Sequence, residues 1–400
     1  MLTKPVQLNI GFNKFGERRS AERLSVDPVI FLCSLALLVI GLVMMTSASI
    51  TAADNTFGDP FYYSQRQLFF IAIGLSCGYL IWRLPLKTWD TLRPMLLVLG
   101  ILLLVIVLIP GVGQVVNGSA RWIRMGSFNV QVSEIVKILM IVFLAGYLSK
   151  HRESLMQSSR AVILPMVILS VVATLLLFEP DLGATVVIFA TGLSMLLLAG
   201  VRVKVFLFLL AVAAAGFFLL AYTSPYRLVR LTAFINPWDD PFNSGFQLSQ
   251  SLIAFGRGEW FGVGLGESVQ KLFYLPEAHT DFLFAVIAEE LGVMGALTII
   301  VLYTGIAWRA LFIGRAAQKC DQHFAAFIAY GVGCWLVFQA YVNIGVNMGV
   351  LPTKGLTLPL MSYGGSSIVM SLIAIALLMR ADYELRFQYS EVAKERRATC

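Results

Sequence analysis

The chain has 400 residues, 58% of them hydrophobic and only 13% charged, against about 25% charged in ordinary globular domains. That shortfall excludes a soluble globular fold and calls for lipid around much of the surface. The net charge of +7 does not indicate a nucleic-acid partner, because the cations sit in short loops and tails between apolar runs.

The first 27 residues are polar and basic, with Lys4, Lys14, Arg18, Arg19 and Arg23. The apolar run after them is too long for a cleaved signal peptide and is read as a first span behind a cytoplasmic tail. A bilayer core needs about 20 apolar residues per helix. Runs of that kind predict ten spans near 28–50, 67–84, 92–110, 132–149, 161–178, 182–199, 203–223, 281–308, 324–350 and 364–381. The expected fold is therefore all-α and polytopic: a membrane domain over 28–381, and a cytoplasmic C-terminal tail over 382–400. With the N-terminus inside, inside segments carry 21 Lys/Arg and outside loops 8, as the positive-inside rule requires.

One outside segment, 224–280 between the seventh and eighth spans, is far longer than the rest. It carries Trp238, Phe242, Phe246, Trp260, Phe261 and Tyr274, too aromatic for a disordered linker. It is expected to fold over the outer mouth of the bundle. Five scattered cysteines and three histidines show no metal or redox spacing.

Ionisable residues inside spans are costly and mark candidate sites. Glu134 and Lys137 share one face of the fourth helix; they read either as a buried ion pair locking helices or as a cavity cation that binds an anion. Glu289 and Glu290 read as structural, bonded to neighbouring helices. Outside, Arg121, Arg124, Arg227, Arg230, Arg257, Lys271 and Lys354 would gather cations at one mouth, suited to phosphate or pyrophosphate. Trp122 beside Arg121 also fits an interfacial anchor. Asp281 opens the eighth span, as a helix-capping Asp or as a general base with His279 nearby.

Six segments carry a family resemblance. They are Ser119-Ala120-Arg121-Trp122-Ile123, Gln131-Val132-Ser133-Glu134 with Lys137, Glu179-Pro180-Asp181-Leu182-Gly183, Tyr274-Leu275-Pro276-Glu277-Ala278-His279-Thr280-Asp281-Phe282, Ala288-Glu289-Glu290-Leu291-Gly292 and Leu358-Pro359-Leu360-Met361-Ser362-Tyr363-Gly364-Gly365-Ser366-Ser367. In this order, from about residue 28 to 385, they resemble the SEDS (shape, elongation, division, sporulation) peptidoglycan glycosyltransferases. Val269-Gln270-Lys271-Leu272 and Pro352-Thr353-Lys354-Gly355-Leu356-Thr357 are similar to the division type rather than the elongation type. Val132, where a proline is usual, and Glu267, where Asn is usual, depart from the pattern.

The resemblance implies a lipid II polymerase of the bacterial inner membrane, acting at the division septum. A GlcNAc 4-hydroxyl of one chain attacks MurNAc of another and expels undecaprenyl pyrophosphate with inversion. It assigns the base to Asp281 and pyrophosphate stabilisation to Arg121, Lys137 and Lys354, with Glu134, His279 and Trp122 in supporting roles. It implies a class B penicillin-binding protein and other divisome membrane proteins as partners, alongside lipid II and the nascent glycan strand. A divalent cation such as Mg or Mn is compatible with the leaving group, although no dedicated ligand set is visible. A lipid II flippase and a non-catalytic division scaffold are the competing readings.

Overall fold

The computed structural model describes residues 26–116, 119–126, 128–222, 234–243, 245–272, 274–352 and 355–398. Twelve α-helices and one small sheet appear among them: α1 (Pro28–Phe57), α2 (Tyr62–Arg83), α3 (Leu86–Val107), β1 (Gly113–Val116), β2 (Ser119–Met125), β3 (Phe128–Gln131), α4 (Val132–Lys150), α5 (Arg152–Gln157), α6 (Ile163–Phe178), α7 (Leu182–Leu198), α8 (Val203–Tyr222), α9 (Phe246–Gly258), α10 (Leu283–Lys319), α11 (His323–Asn347) and α12 (Gly365–Ala398). Each of the ten expected spans falls on one of these helices. Six helical segments, including α1, α3, α4, α10 and α11, are long and apolar enough to cross a membrane by length and composition; α7 and α8 supply shorter apolar stretches. The chain is a multi-pass membrane protein.

Local chemistry sets the helix ends. Asp27 caps α1 by accepting from the Val29 and Ile30 amides at 3.0 and 3.1 Å, with Pro28 at the first helical position. Gly58, at φ 69°, closes the same helix in the left-handed conformation. Asp181 caps α7 through the Ala184 amide at 3.1 Å, which makes Glu179-Pro180-Asp181 the tight turn expected between α6 and α7.

Three features depart from the sequence reading. The fold is not wholly α-helical: residues 113–131 form an antiparallel three-stranded meander, with Trp122 opposite both Gln114 and Gln131. Its β-branched and aromatic residues, Val115, Val116, Trp122, Ile123 and Val130, favour strands, and Gly126 at φ 63° turns the chain between β2 and β3. Helix α12 runs on through the segment expected as a polar tail. The i,i+4 pairs Arg380–Glu384 (2.7 Å) and Asp382–Arg386 (2.6 Å) carry it forward, and Glu384 accepts the Leu86 amide at 2.8 Å, capping α3.

The third departure is a break in α10 at Gly292 (φ 66°, ψ −165°). It leaves a nine-residue piece, 283–291, ahead of the long remainder. In an unbroken helix Val293 would donate to the Glu289 carbonyl. Instead Glu289 O receives the Val263 amide (3.0 Å) and the Val293 amide turns to Glu259 O (2.9 Å). One step on, Glu290 O receives the Gly264 amide (3.1 Å) and Met294 donates to Trp260 O (3.2 Å). Loop residues 259–264 are thus spliced into the helical ladder.

Among the six helical segments long and apolar enough to span, α4 and α11 are the most buried. At one end of the bundle the start of α4, the α6–α7 turn, the start of α10, the end of α11 and the start of α12 converge. All five had been expected on the outer side.

Candidate active site

Asp281 lies two residues ahead of α10 and is half-buried. Its backbone carbonyl accepts from two side-chain amides of α11, Asn343 Nδ2 at 2.7 Å and Asn347 Nδ2 at 3.0 Å. Asn347 also accepts the Ala285 amide at 3.1 Å, so one buried side chain grips the chain on both sides of the helix start. On the carboxylate side, a Cβ placed on Gly355 would stand 2.8 Å from Asp281 Oδ2, so a larger residue there would push the carboxylate aside. Among the described residues nothing donates a hydrogen bond to this carboxylate. Burial, reinforced by the charge of Glu277, pushes its pKa up to about 7, while Arg121 pulls the other way. A carboxyl so poised can take a proton near neutral pH.

Arg121, on β2, is held over the α6–α7 turn. Nη2 donates to Pro180 O (2.6 Å) and Ser119 Oγ (3.1 Å), and Nε to Glu179 O (3.3 Å). Nη1 has only a 3.9 Å approach to Asp181, which leaves its two protons for an anion. The same turn holds Glu179, wholly buried with neither carboxylate oxygen bonded. Burial and the charge of Asp181 push its pKa up to about 8, which favours the neutral acid. Asp181 Oδ2 accepts from Ser133 Oγ at 3.0 Å, tying the turn to α4.

His279 stacks in an aromatic group with Tyr63 (centroids 4.6 Å apart) and Tyr363 (5.7 Å), and its carbonyl accepts the Tyr363 amide at 3.0 Å. Burial lowers its pKa, favouring a neutral imidazole that can orient a sugar but carries no charge. Trp122 is half-buried in the sheet beside Arg121.

Glu134 and Lys137 are brought together but enclosed. The Lys137 ammonium lies 2.7 Å from Glu134 Oε1 and 2.6 Å from Gln339 Oε1, 5.0 Å from the Trp335 ring centre, and is 2% exposed. This geometry favours the helix-locking reading. Gln339 passes the connection on to Thr357 O at 3.0 Å.

Two of the expected mouth cations are taken up in ion pairs. Arg257 pairs with Glu289 at 3.0 Å and Lys271 with Glu290 at 2.7 Å. Glu289 also accepts from Ser268 and from the Val269 amide (3.1 Å), and Glu290 from Ser47 of α1 at 2.8 Å. These glutamates therefore anchor the loop, rather than bonding only to neighbouring helices. Lys354, Arg227 and Arg230 lie outside the described residues. Among the described residues no three His, Cys, Asp or Glu side chains form a metal-holding group.

Sequence reasoning missed the polar stripe Gln339, Asn343, Asn347 on α11. Its i, i+4, i+8 spacing inside an apolar run was the available signal. Glu179 was missed as a site residue because a turn position gives no hint of burial.

The cell cycle protein family model of FtsW, RodA and SpoVE matches residues 28–387. The chain belongs to that family. It is 54% identical over 366 residues to a probable peptidoglycan glycosyltransferase FtsW of Thioalkalivibrio sulfidiphilus, covering 92% of this chain and 91% of that one. It is 50% identical to the probable peptidoglycan glycosyltransferase FtsW of Coxiella burnetii, covering 92% and 99%. These names agree with the division-type motifs. Among solved structures, a chain described under the structural coordination of polymerization and crosslinking by a peptidoglycan synthase complex superposes with TM-score 0.74 at 26% identity, covering 91% of this chain and 99% of that one. The Rod shape determining protein RodA of Thermus thermophilus superposes with TM-score 0.67 at 26% identity, covering 90% and 98%.

Proposed function

We propose that this family member is a peptidoglycan glycosyltransferase that polymerises lipid II at the division septum. The observation that carries the reading is Asp281: its backbone is clamped by Asn343 and Asn347 while, among the described residues, its carboxylate has no donor, near the spare face of Arg121. In the proposed reaction Asp281 takes the proton of a GlcNAc 4-hydroxyl as that oxygen attacks the anomeric carbon of MurNAc. The bond to undecaprenyl pyrophosphate breaks on the opposite face, giving inversion in one displacement with one base. Arg121 Nη1 is placed to meet charge growing on the pyrophosphate. Lys354 is a further candidate, since its chain neighbour Gly355 packs on Asp281.

Ten spans with both ends cytoplasmic, and residues 224–280 outside, are part of this proposal. The convergence of five expected outer ends around Asp281 supports it. A class B penicillin-binding protein is the proposed partner, supported by the likeness to a chain from a peptidoglycan synthase complex; other divisome membrane proteins and septal placement are proposed from the FtsW names of the relatives. A divalent cation on the pyrophosphate remains a proposal without ligands assigned in this chain. The flippase reading would use Glu134 and Lys137 in a polar cavity, and these two side chains are instead paired and buried.

Purified protein with its transpeptidase, given labelled lipid II, should form glycan strands. Asp281→Asn, which caps a helix about as well, should be made and inserted yet lose roughly 10²–10⁴-fold in rate. Near-normal strand formation by the Asn variant would remove Asp281 as base, and leaflet exchange without strands would replace polymerase by flippase.

A further inference from the structure

We propose that the cleft between α6 and α8 is a binding site for one anionic phospholipid of the inner leaflet. Both helices pack on α7, and between them lies an open cleft of about 890 Å³. That is the upper part of the 300–1,000 Å³ range typical of small-molecule sites. Its walls are Ile163, Met166, Val167 and Val171 on one side and Phe208 and Leu209 on the other. Thr174, also on the lining, donates its hydroxyl to Ser170 O at 2.8 Å and so leaves the wall less polar there.

Polarity concentrates at one end, where Ser159, Arg160 and Lys204 line the opening. Among the described residues neither Arg160 nor Lys204 has an ion-pair partner. The segments that carry them, with Lys150, Arg152 and Arg202 in addition, are Lys/Arg-rich and short, which places this end at the cytoplasmic surface. Two unpaired cations at the inner mouth of an apolar cleft suit a phosphate headgroup, with acyl chains below it. Length agrees. From Ile163 to Leu175 the α6 wall rises roughly 18 Å at about 1.5 Å per residue, slightly more than one leaflet of a hydrocarbon core about 30 Å thick.

A zwitterionic lipid carries the same acyl chains without net negative charge, so headgroup discrimination isolates the role of the cations. The intact protein in phosphatidylcholine nanodiscs doped with spin-labelled phosphatidylglycerol should show a motionally restricted lipid fraction that spin-labelled phosphatidylcholine does not match. Arg160→Gln combined with Lys204→Gln should weaken that retention roughly 30-fold, at about tenfold per 1.4 kcal/mol. Val167→Trp, which narrows the cleft, should reduce the restricted fraction while leaving the cations in place. Equal retention of both lipids, or no change in the double-Gln variant, would overturn the proposal. So would a Val167→Trp protein that keeps its phosphatidylglycerol but no longer binds a single-span partner, since the cleft would then belong to a helix.

Discussion

Asn347→Ala tests whether the clamp on the Asp281 backbone positions the base. Asn347 is fully buried, and truncation removes its donations to Asp281 O (3.0 Å) and Asn343 O (2.8 Å). It also orphans the Ala285 amide, which loses its 3.1 Å acceptor. A buried donor left without a partner costs about 1–3 kcal/mol, so the variant should be less stable but folded. Asp281 O keeps Asn343 at 2.7 Å, which lets the carboxylate drift rather than collapse. A drift near 1 Å can cost about 10²-fold in rate. Initial rates of strand formation from labelled lipid II should therefore show kcat down about 10²-fold and KM little changed, because the donor's own contacts stay intact. Asn347→Asp keeps the acceptor for Ala285 but loses both donors and adds a buried charge, so it should be at least as slow. A kcat within twofold of wild type for Asn347→Ala, in protein shown to be folded, would refute the positioning role.

Two further outcomes follow from the titrating groups. With Asp281 near 7 and active only when ionised, kcat/KM should climb through about pH 7 and stand near a tenth of its plateau at about pH 6. Arg121→Gln removes the charge that holds this pKa down and should move the midpoint to higher pH; a flat profile between about pH 6 and 8 would contradict the assignment. Glu179, ordinarily near 4.5 and raised to about 8 when folded, binds its proton more tightly in the folded state. Stability should therefore fall as pH rises from about 4.5 to 8, by at most about 5 kcal/mol. Glu179→Gln should melt like wild type near pH 5 and above it near pH 8, whereas parallel melting curves would show that Glu179 is already ionised.

The helices were legible because span length and loop charge are global properties that survive local exceptions. Asp281, Arg121 and His279 were legible because polar groups beside spans are few, and the structure places Asp281 and Arg121 within electrostatic reach of one another. Charge alone did not reveal pairing. Arg257 and Lys271 counted as mouth cations until Glu289 and Glu290 were seen to neutralise them. The sheet over 113–131 escaped because four-residue strands such as β1 and β3 acquire meaning only from their partners. The break in α10 escaped because Gly292 sits in a run whose composition suits an uninterrupted helix.

That break and loop residues 259–264 are one device. Backbone groups freed inside hydrocarbon cost several kcal/mol each unless protein covers them. At Gly292 the exposed partners would be the carbonyls of Glu289 and Glu290 and the amides of Val293 and Met294, and residues 259–264 satisfy all of these. Close approach dictates the residue types: a Cβ on Gly262 would stand 2.1 Å from Glu290 O, and one on Gly292 2.4 Å from Gly262 N. The consequence falls on the helical piece 283–291. Cut from the ladder of α10, it is held at its start by Asn343 and Asn347 and at its end by a loop that Arg257 and Lys271 pin to Glu289 and Glu290. Asp281 is therefore oriented by α11 and by the loop rather than by an unbroken α10 ladder.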